Sequence, residues 1–261
     1  MMRSIFLRTL YDKRWFILGW SLAMSATAGL MVAMYPAFKE GMEEIIATMP
    51  AQFQGLAGDA SSFGSMETYL ASQLFDIRVP LLLMIAAAVM AVGLTVTPEE
   101  KGHLRTILSG RFSRTSLYIQ TWYAALMMVI AIVASMALVT ILSVLAIGDP
   151  VPWRTLLTLG IMTVAFIMMT FTIVYALGAA TGSRMLTLGI GLMIIIASFI
   201  LDIGAAVDWL DSVQVLSLLS YFDAAMVPAD GVDIVDQLVV LSITLVSFVI
   251  GLVLFRRRDI G

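Results

Sequence analysis

Pro98–Gln120 reads PEEKGHLRTILSGRFSRTSLYIQ, a compact mixed-charge patch set between two long apolar runs. Glu99, Glu100, Lys101, His103, Arg105, Arg111 and Arg114 fall within about five helical turns, and Leu104, Ile107 and Leu108 recur at the spacing of one helix face. That pattern predicts a short amphipathic helix held at a membrane surface.

The flanking runs follow from composition. The chain has 261 residues, of which 61% are hydrophobic and 13% charged, with a mean hydropathy of +0.99. Soluble domains carry about 25% charged residues. The apolar residues come in charge-free runs of about 17 to 26, matching a hydrocarbon slab about 30 Å thick. The expected class is all-α: a polytopic membrane protein, one transmembrane unit over residues 1–261. Its six spans are expected near 15–35, 79–97, 122–147, 156–180, 185–201 and 238–255. Pro36 is expected to end the first span, and Pro80 to sit in the first turn of the second, where a missing N–H is tolerated.

Met1 to Arg14 carries Arg3, Arg8, Lys13 and Arg14 alongside Ile5, Phe6, Leu7, Leu10 and Tyr11, which suits a basic interfacial helix. It lacks an uninterrupted apolar core, so the first span is expected to be an uncleaved targeting signal. Ala37 to Arg78 is an acidic excursion with helical pieces near Gly41–Met49 and Met66–Phe75 around a Gly/Ser-rich break from Gly55 to Ser65. After the fifth span, seven aspartates follow without one lysine or arginine. Ser212 to Phe222, SVQVLSLLSYF, lies among them; it is too short to span and too apolar to float free, so it is expected to be a re-entrant or interfacial helix.

Twelve of the fifteen lysines and arginines lie in the N-terminal segment, the patch, the link at Arg184 and the C-terminal Arg256-Arg257-Arg258. The positive-inside rule then puts all four in the cytoplasm, with both termini inside a plasma membrane.

The spans hold essentially no ionisable residue. Ion-driven transport needs such groups at membrane depth. The chain has no cysteine and one histidine, His103, in the patch, which leaves no material for a thiolate metal site or an intramembrane Ser/His hydrolase. No phosphate-binding Gly-x-x-x-x-Gly-Lys-Ser/Thr loop occurs. The chain is therefore not expected to be an enzyme or to hold a cofactor or metal, and energy for transport would enter from another polypeptide through the patch.

The patch also carries a resemblance. Glu99-Glu100-Lys101-Gly102-His103-Leu104, then Ile107-Leu108-Ser109 and Phe112-Ser113-Arg114, resembles the signature of type-2 ATP-binding-cassette exporter permeases. It departs at His103, where the family has threonine, at Gly110-Arg111-Phe112 around the usual proline, and at Gln120 near a common lysine. Further landmarks extend the likeness over most of the chain: Arg14 to Trp20, Tyr35-Pro36, Tyr69-Leu70, and the external helical segment before the last span.

The resemblance implies a half-transporter that pairs with a second permease copy or paralogue and with two ATPase subunits, which bind ATP and magnesium. The patch becomes the coupling helix, with Glu99, Glu100, Gly102, His103, Leu104, Ile107, Leu108, Arg111 and Arg114 as the ATPase-coupling residues. Membrane lipids are the other expected partners, and nucleic acid is not one. By the same likeness a substrate path would lie between permeases, along the first, second and fifth spans; the substrate-binding residues stay unassigned. A non-transporting membrane scaffold or assembly factor is the alternative that the topology also serves.

Overall fold

A computed structural model describes residues 4–48, 65–100, 102, 113–149, 151–203 and 214–258. Among these the chain is helical with no strand, and six helices are long and apolar enough to cross a membrane. We number the principal helices α1 (Ile5–Asp12), α2 (Arg14–Thr48), α3 (Val79–Leu94), α4 (Arg114–Ile147), α5 (Trp153–Thr181), α6 (Arg184–Ile203) and α7 (Ile234–Arg257).

The ends follow from capping chemistry. Ser113 caps α4 by accepting the Ser116 N–H at 3.1 Å, so the helix starts two turns before the apolar run and absorbs Arg114 to Gln120 from the patch. Asp233 caps α7, accepting the Val235 N–H at 2.7 Å, and Asp236 and Arg256-Arg257 place opposite charges at its two ends as the helix dipole favours. Gly182, at φ 61°, closes α5 by donating to the Gly178 carbonyl at 3.0 Å.

Two expected boundaries are not observed. α2 does not stop at Pro36 but runs through it to Thr48. Tertiary contacts hold the helix together there: the Tyr69 hydroxyl donates to the Met31 carbonyl at 3.1 Å, and its ring packs on Tyr35 and Phe38. The helical piece from Met66 and the second span are likewise one run, joined by a π-helix over Leu70–Arg78 that leads into Pro80. In that run the Val79 N–H donates to the Leu74 carbonyl five residues back, the spacing of a π-helical turn.

α5 is the central helix. It packs on α3, α4, α6 and α7, while α2 lies mainly along α4 and α1 lies across the start of α4. α3 and α5 are mostly buried, whereas α2, α6 and α7 turn most of their apolar surface outward. Small residues set the closest crossings. A Cβ on Gly29 of α2 would stand 3.7 Å from Val139 Cγ1 on α4, so part of the small-residue stripe on the first span faces a neighbour inside the chain, while Gly19 faces open space. A Cβ on Gly251 of α7 would stand 2.8 Å from the Ala176 Cα on α5.

At one end of the bundle the segment 214–230 folds back on the helices. Its described part forms two short 3-10 turns, Gln214–Leu216 and Leu219–Tyr221, in place of a single helix. Hydrogen bonds to a side chain and a backbone carbonyl of α6 explain the break in regularity. Ser217 Oγ donates to the Ser198 carbonyl at 2.9 Å, and the Leu218 N–H donates to Ser198 Oγ at 3.2 Å. Phe222 packs on Phe166, about 20 Å along α5 from its first residue. The Gly55 to Ser65 break lies outside the described residues except for Ser65, which caps Met66–Tyr69.

Candidate functional site

The site is the opposite end of the bundle, where the patch leaves α3. Thr95 interrupts the helix and returns its hydroxyl to the Ala91 carbonyl at 2.7 Å. Val96–Glu100 then forms a short helix, and Gly102, at φ 70°, closes the turn by donating its N–H to the Glu99 carbonyl at 2.8 Å. Gly178 on α5 is what lets Thr95 approach, since a Cβ there would meet the Thr95 Cβ at 3.1 Å.

Of the nine sequence-assigned coupling residues, Glu99, Glu100, Gly102 and Arg114 are described; His103, Leu104, Ile107, Leu108 and Arg111 lie outside the described residues. The two glutamates part company. Glu100 is exposed, facing an open depression of about 640 Å³ shared with Gly182, Arg184 and Met185 of the α5–α6 turn. Glu99 turns inward and forms an ion pair with Arg258 Nη2; only 22% and 18% of the two side chains stay exposed.

Arg258 serves three elements at once. Its Nη1 donates to the Ala179 carbonyl at 3.1 Å, satisfying one of the last acceptors of α5. The neighbouring acceptors are also used: the Leu177 carbonyl by the Thr181 hydroxyl at 2.9 Å and the Gly178 carbonyl by the Gly182 N–H. A cation at the end of a helix is favoured by the carbonyl dipoles. Arg114, at the start of α4, donates to the backbone carbonyls of Arg258 and, at 3.5 Å, Arg256. The patch and the ends of α4, α5 and α7 therefore meet in one cluster.

α1 joins the same end through Gln120. Its Oε1 accepts from Ile5 N–H at 3.1 Å, Phe6 N–H at 3.3 Å and Ser4 Oγ at 3.3 Å, while its Nε2 donates to Ser116 Oγ at 2.8 Å. The side chain thereby acts as an external cap for the free donors of α1. Behind the cluster, the Tyr118 ring lies between Phe248 and Phe255 of α7 and against Tyr175 of α5. A cavity of about 140 Å³ separates this packing from α1 and the end of α3.

Farther along the bundle an apolar groove of about 830 Å³ opens between α4, α5 and α7, flanked by Trp122 and Trp153. No group of three or more His, Cys, Asp or Glu side chains able to hold a metal occurs among the described residues.

The family model for the C-terminal domain of the multidrug efflux system permease Rv1217c matches residues 9–256. The chain belongs to this permease family. No curated protein matches it. As a multidrug efflux family permease, the chain is a membrane protein whose role is transport, and its charged cluster sits where three spans and the patch converge.

Of the residues in this cluster, the sequence singles out Glu99 and Arg114, as expected coupling residues, and passes over Arg258, Gln120 and Gly182. Arg258 reads as one of three terminal charges that orient the last span, and nothing local separates it from Arg257. Gln120 was visible only as a departure from the type-2 exporter pattern, in which lysine is common nearby. Gly182 carried a faint signal as the last residue of the small-residue stretch 178–182.

Proposed function

We propose that this permease is the transmembrane half of an ATP-binding-cassette exporter, pairing with a second permease copy or paralogue and driven by separate ATPase subunits that bind ATP and magnesium. The observation that carries the reading is the cluster of Glu99, Arg114, Arg258 and the Ala179 carbonyl, because it makes the patch mechanically continuous with α4, α5 and α7. A push on the patch then reaches all three spans at once.

Charge supports the orientation: the patch, Arg184 and Arg256-Arg257-Arg258 belong to the basic side of the sequence, which the positive-inside rule assigns to the cytoplasm. α1 then lies at the inner face of the plasma membrane with Leu7 and Tyr11 free to enter lipid. The segment at Ser217 to Phe222 becomes an external re-entrant element. The outward apolar faces of α2 and α6 are the surfaces for a second permease and for an apolar cargo drawn from the bilayer. That cargo class also agrees with the multidrug efflux role of the permease for which the family is described.

Purification in mild detergent tests the reading directly. The permease is expected to retain an ATPase whose hydrolysis is stimulated by apolar drugs. Replacing Leu104, Ile107 and Leu108 together with glutamate should abolish that stimulation while leaving membrane insertion intact. Drug-stimulated hydrolysis at the unaltered rate in this variant would remove the coupling assignment.

A further inference from the structure

We propose that Arg258 is the positioning residue of the patch, and that Glu99 is an internal link to it instead of an ATPase contact. The proposal rests on the reading of the patch as the ATPase inlet and reassigns one of its acidic pair.

Geometry decides between the two glutamates. Glu99 gives its carboxylate to Arg258, while Glu100, one residue on, is exposed. Docking Glu99 onto a partner would strip the guanidinium of its counter-charge in a largely enclosed place, and a lone charge there is costly. Glu100 can meet a partner with no such loss.

The fork of arginine is what the position uses. Nη2 serves Glu99 and Nη1 serves the Ala179 carbonyl, so one planar group holds the patch to the end of α5. Lysine offers a single point charge and cannot hold both in that geometry. Arg114 holds the Arg258 backbone carbonyl from the other side, which fixes the base of the fork. Gly182 leaves room for it: a Cβ there would overlap the guanidinium.

The chain has no cysteine, so spin labels at Glu100→Cys and Met185→Cys report the spacing of the patch from the α5–α6 turn without background. The unaltered cluster should give one narrow distance distribution in lipid nanodiscs, and Arg258→Gln or Glu99→Gln should broaden it. In the permease–ATPase complex the same two variants should lower drug-stimulated hydrolysis about tenfold, the scale of a lost charge-assisted hydrogen bond, with the ATPase still bound. Arg258→Lys should recover only part of the loss, and the exchange Glu99→Arg with Arg258→Glu should do better than either single change.

Two results would overturn the proposal: an unchanged distance distribution in Arg258→Gln, or loss of the ATPase from Glu99→Gln, which would make Glu99 a docking contact. A wild-type permease that retains no ATPase would instead defeat the exporter reading, and the distance measurement would still decide whether Arg258 positions the patch.

Discussion

The two ends of the bundle are built differently. At the patch end, α5 and α7 cross at a glycine, the Tyr118 ring packs on both Phe248 and Phe255, and a charged fork ties the patch to the Ala179 carbonyl of α5. Toward the other end, α4, α5 and α7 separate around the apolar groove, and the segment 214–230 is held by serine hydroxyls and by Asp76, which accepts the Ala224 N–H at 3.1 Å. The contrast teaches where the chain can move. Helices pinned at one end and parted at the other can pivot about the pinned end, so a displacement of the patch would change the spacing of the spans far from it. A packed core resists gradual deformation, which favours such a lever over diffuse bending.

The sharpest way to break this comparison is a pair of glycine substitutions. Gly251→Leu forces side-chain atoms into the Ala176 backbone, a Cβ alone already standing 2.8 Å from it, and should cost about 3 kcal/mol or prevent folding. Gly160→Leu enters the groove, where the nearest atom is Val133 Cγ1 at 3.8 Å, and should stay within about 0.5 kcal/mol of the parent. Thermal unfolding in detergent measures both. Equal losses would mean that the two halves are packed alike.

Gly182→Ala should come next. It imposes a left-handed conformation on alanine, costing about 1 kcal/mol, and it displaces the Arg258 guanidinium. The spin-label distances should therefore broaden as they do in Arg258→Gln, with a modest fall in unfolding temperature. Gln120→Ala should cost about 1 kcal/mol through the donors it uncaps, and the effect should be local. Amide exchange should rise in Ile5–Asp12 and stay constant in α5.

These positions differ in how legible they are in the sequence. The six spans could be read because length and apolarity are properties of contiguous residues, and among the described residues six helices meet both criteria. Helix ends could be read only where the cap is local. Gly148, the left-handed residue that closes α4, is such a local signal, but Pro36 reads as a stop because the Tyr69 contacts that carry the helix past it come from a residue more than thirty positions away. Glu99 and Glu100 are indistinguishable as neighbours in a charged patch. What separates them is Arg258, at the far end of the chain, reaching Glu99 alone. The coupling end could thus be located from composition and resemblance, while its internal wiring depends on long-range pairs that no periodicity encodes.

A pair of serines, with effects confined to one segment, tests the looser half. Ser198 and Ser217 are both buried, and each hydroxyl is committed to the other segment's backbone, Ser217 as a donor to the Ser198 carbonyl and Ser198 as an acceptor from Leu218. Ser198→Ala leaves the Leu218 N–H without its acceptor, and Ser217→Ala leaves the Ser198 carbonyl without its side-chain donor, so each should cost about 1 kcal/mol. The double change should cost less than the sum, because once the segment has lifted from α6 the second hydroxyl has nothing left to hold. Amide exchange in residues 214–224 should rise in all three variants, and the spin-label distance at the patch should not change. Strictly additive costs would show instead that the segment stays seated, held by Phe222 on Phe166 and by Asp76 at Ala224, and the looser half would then be pinned as firmly as the patch end.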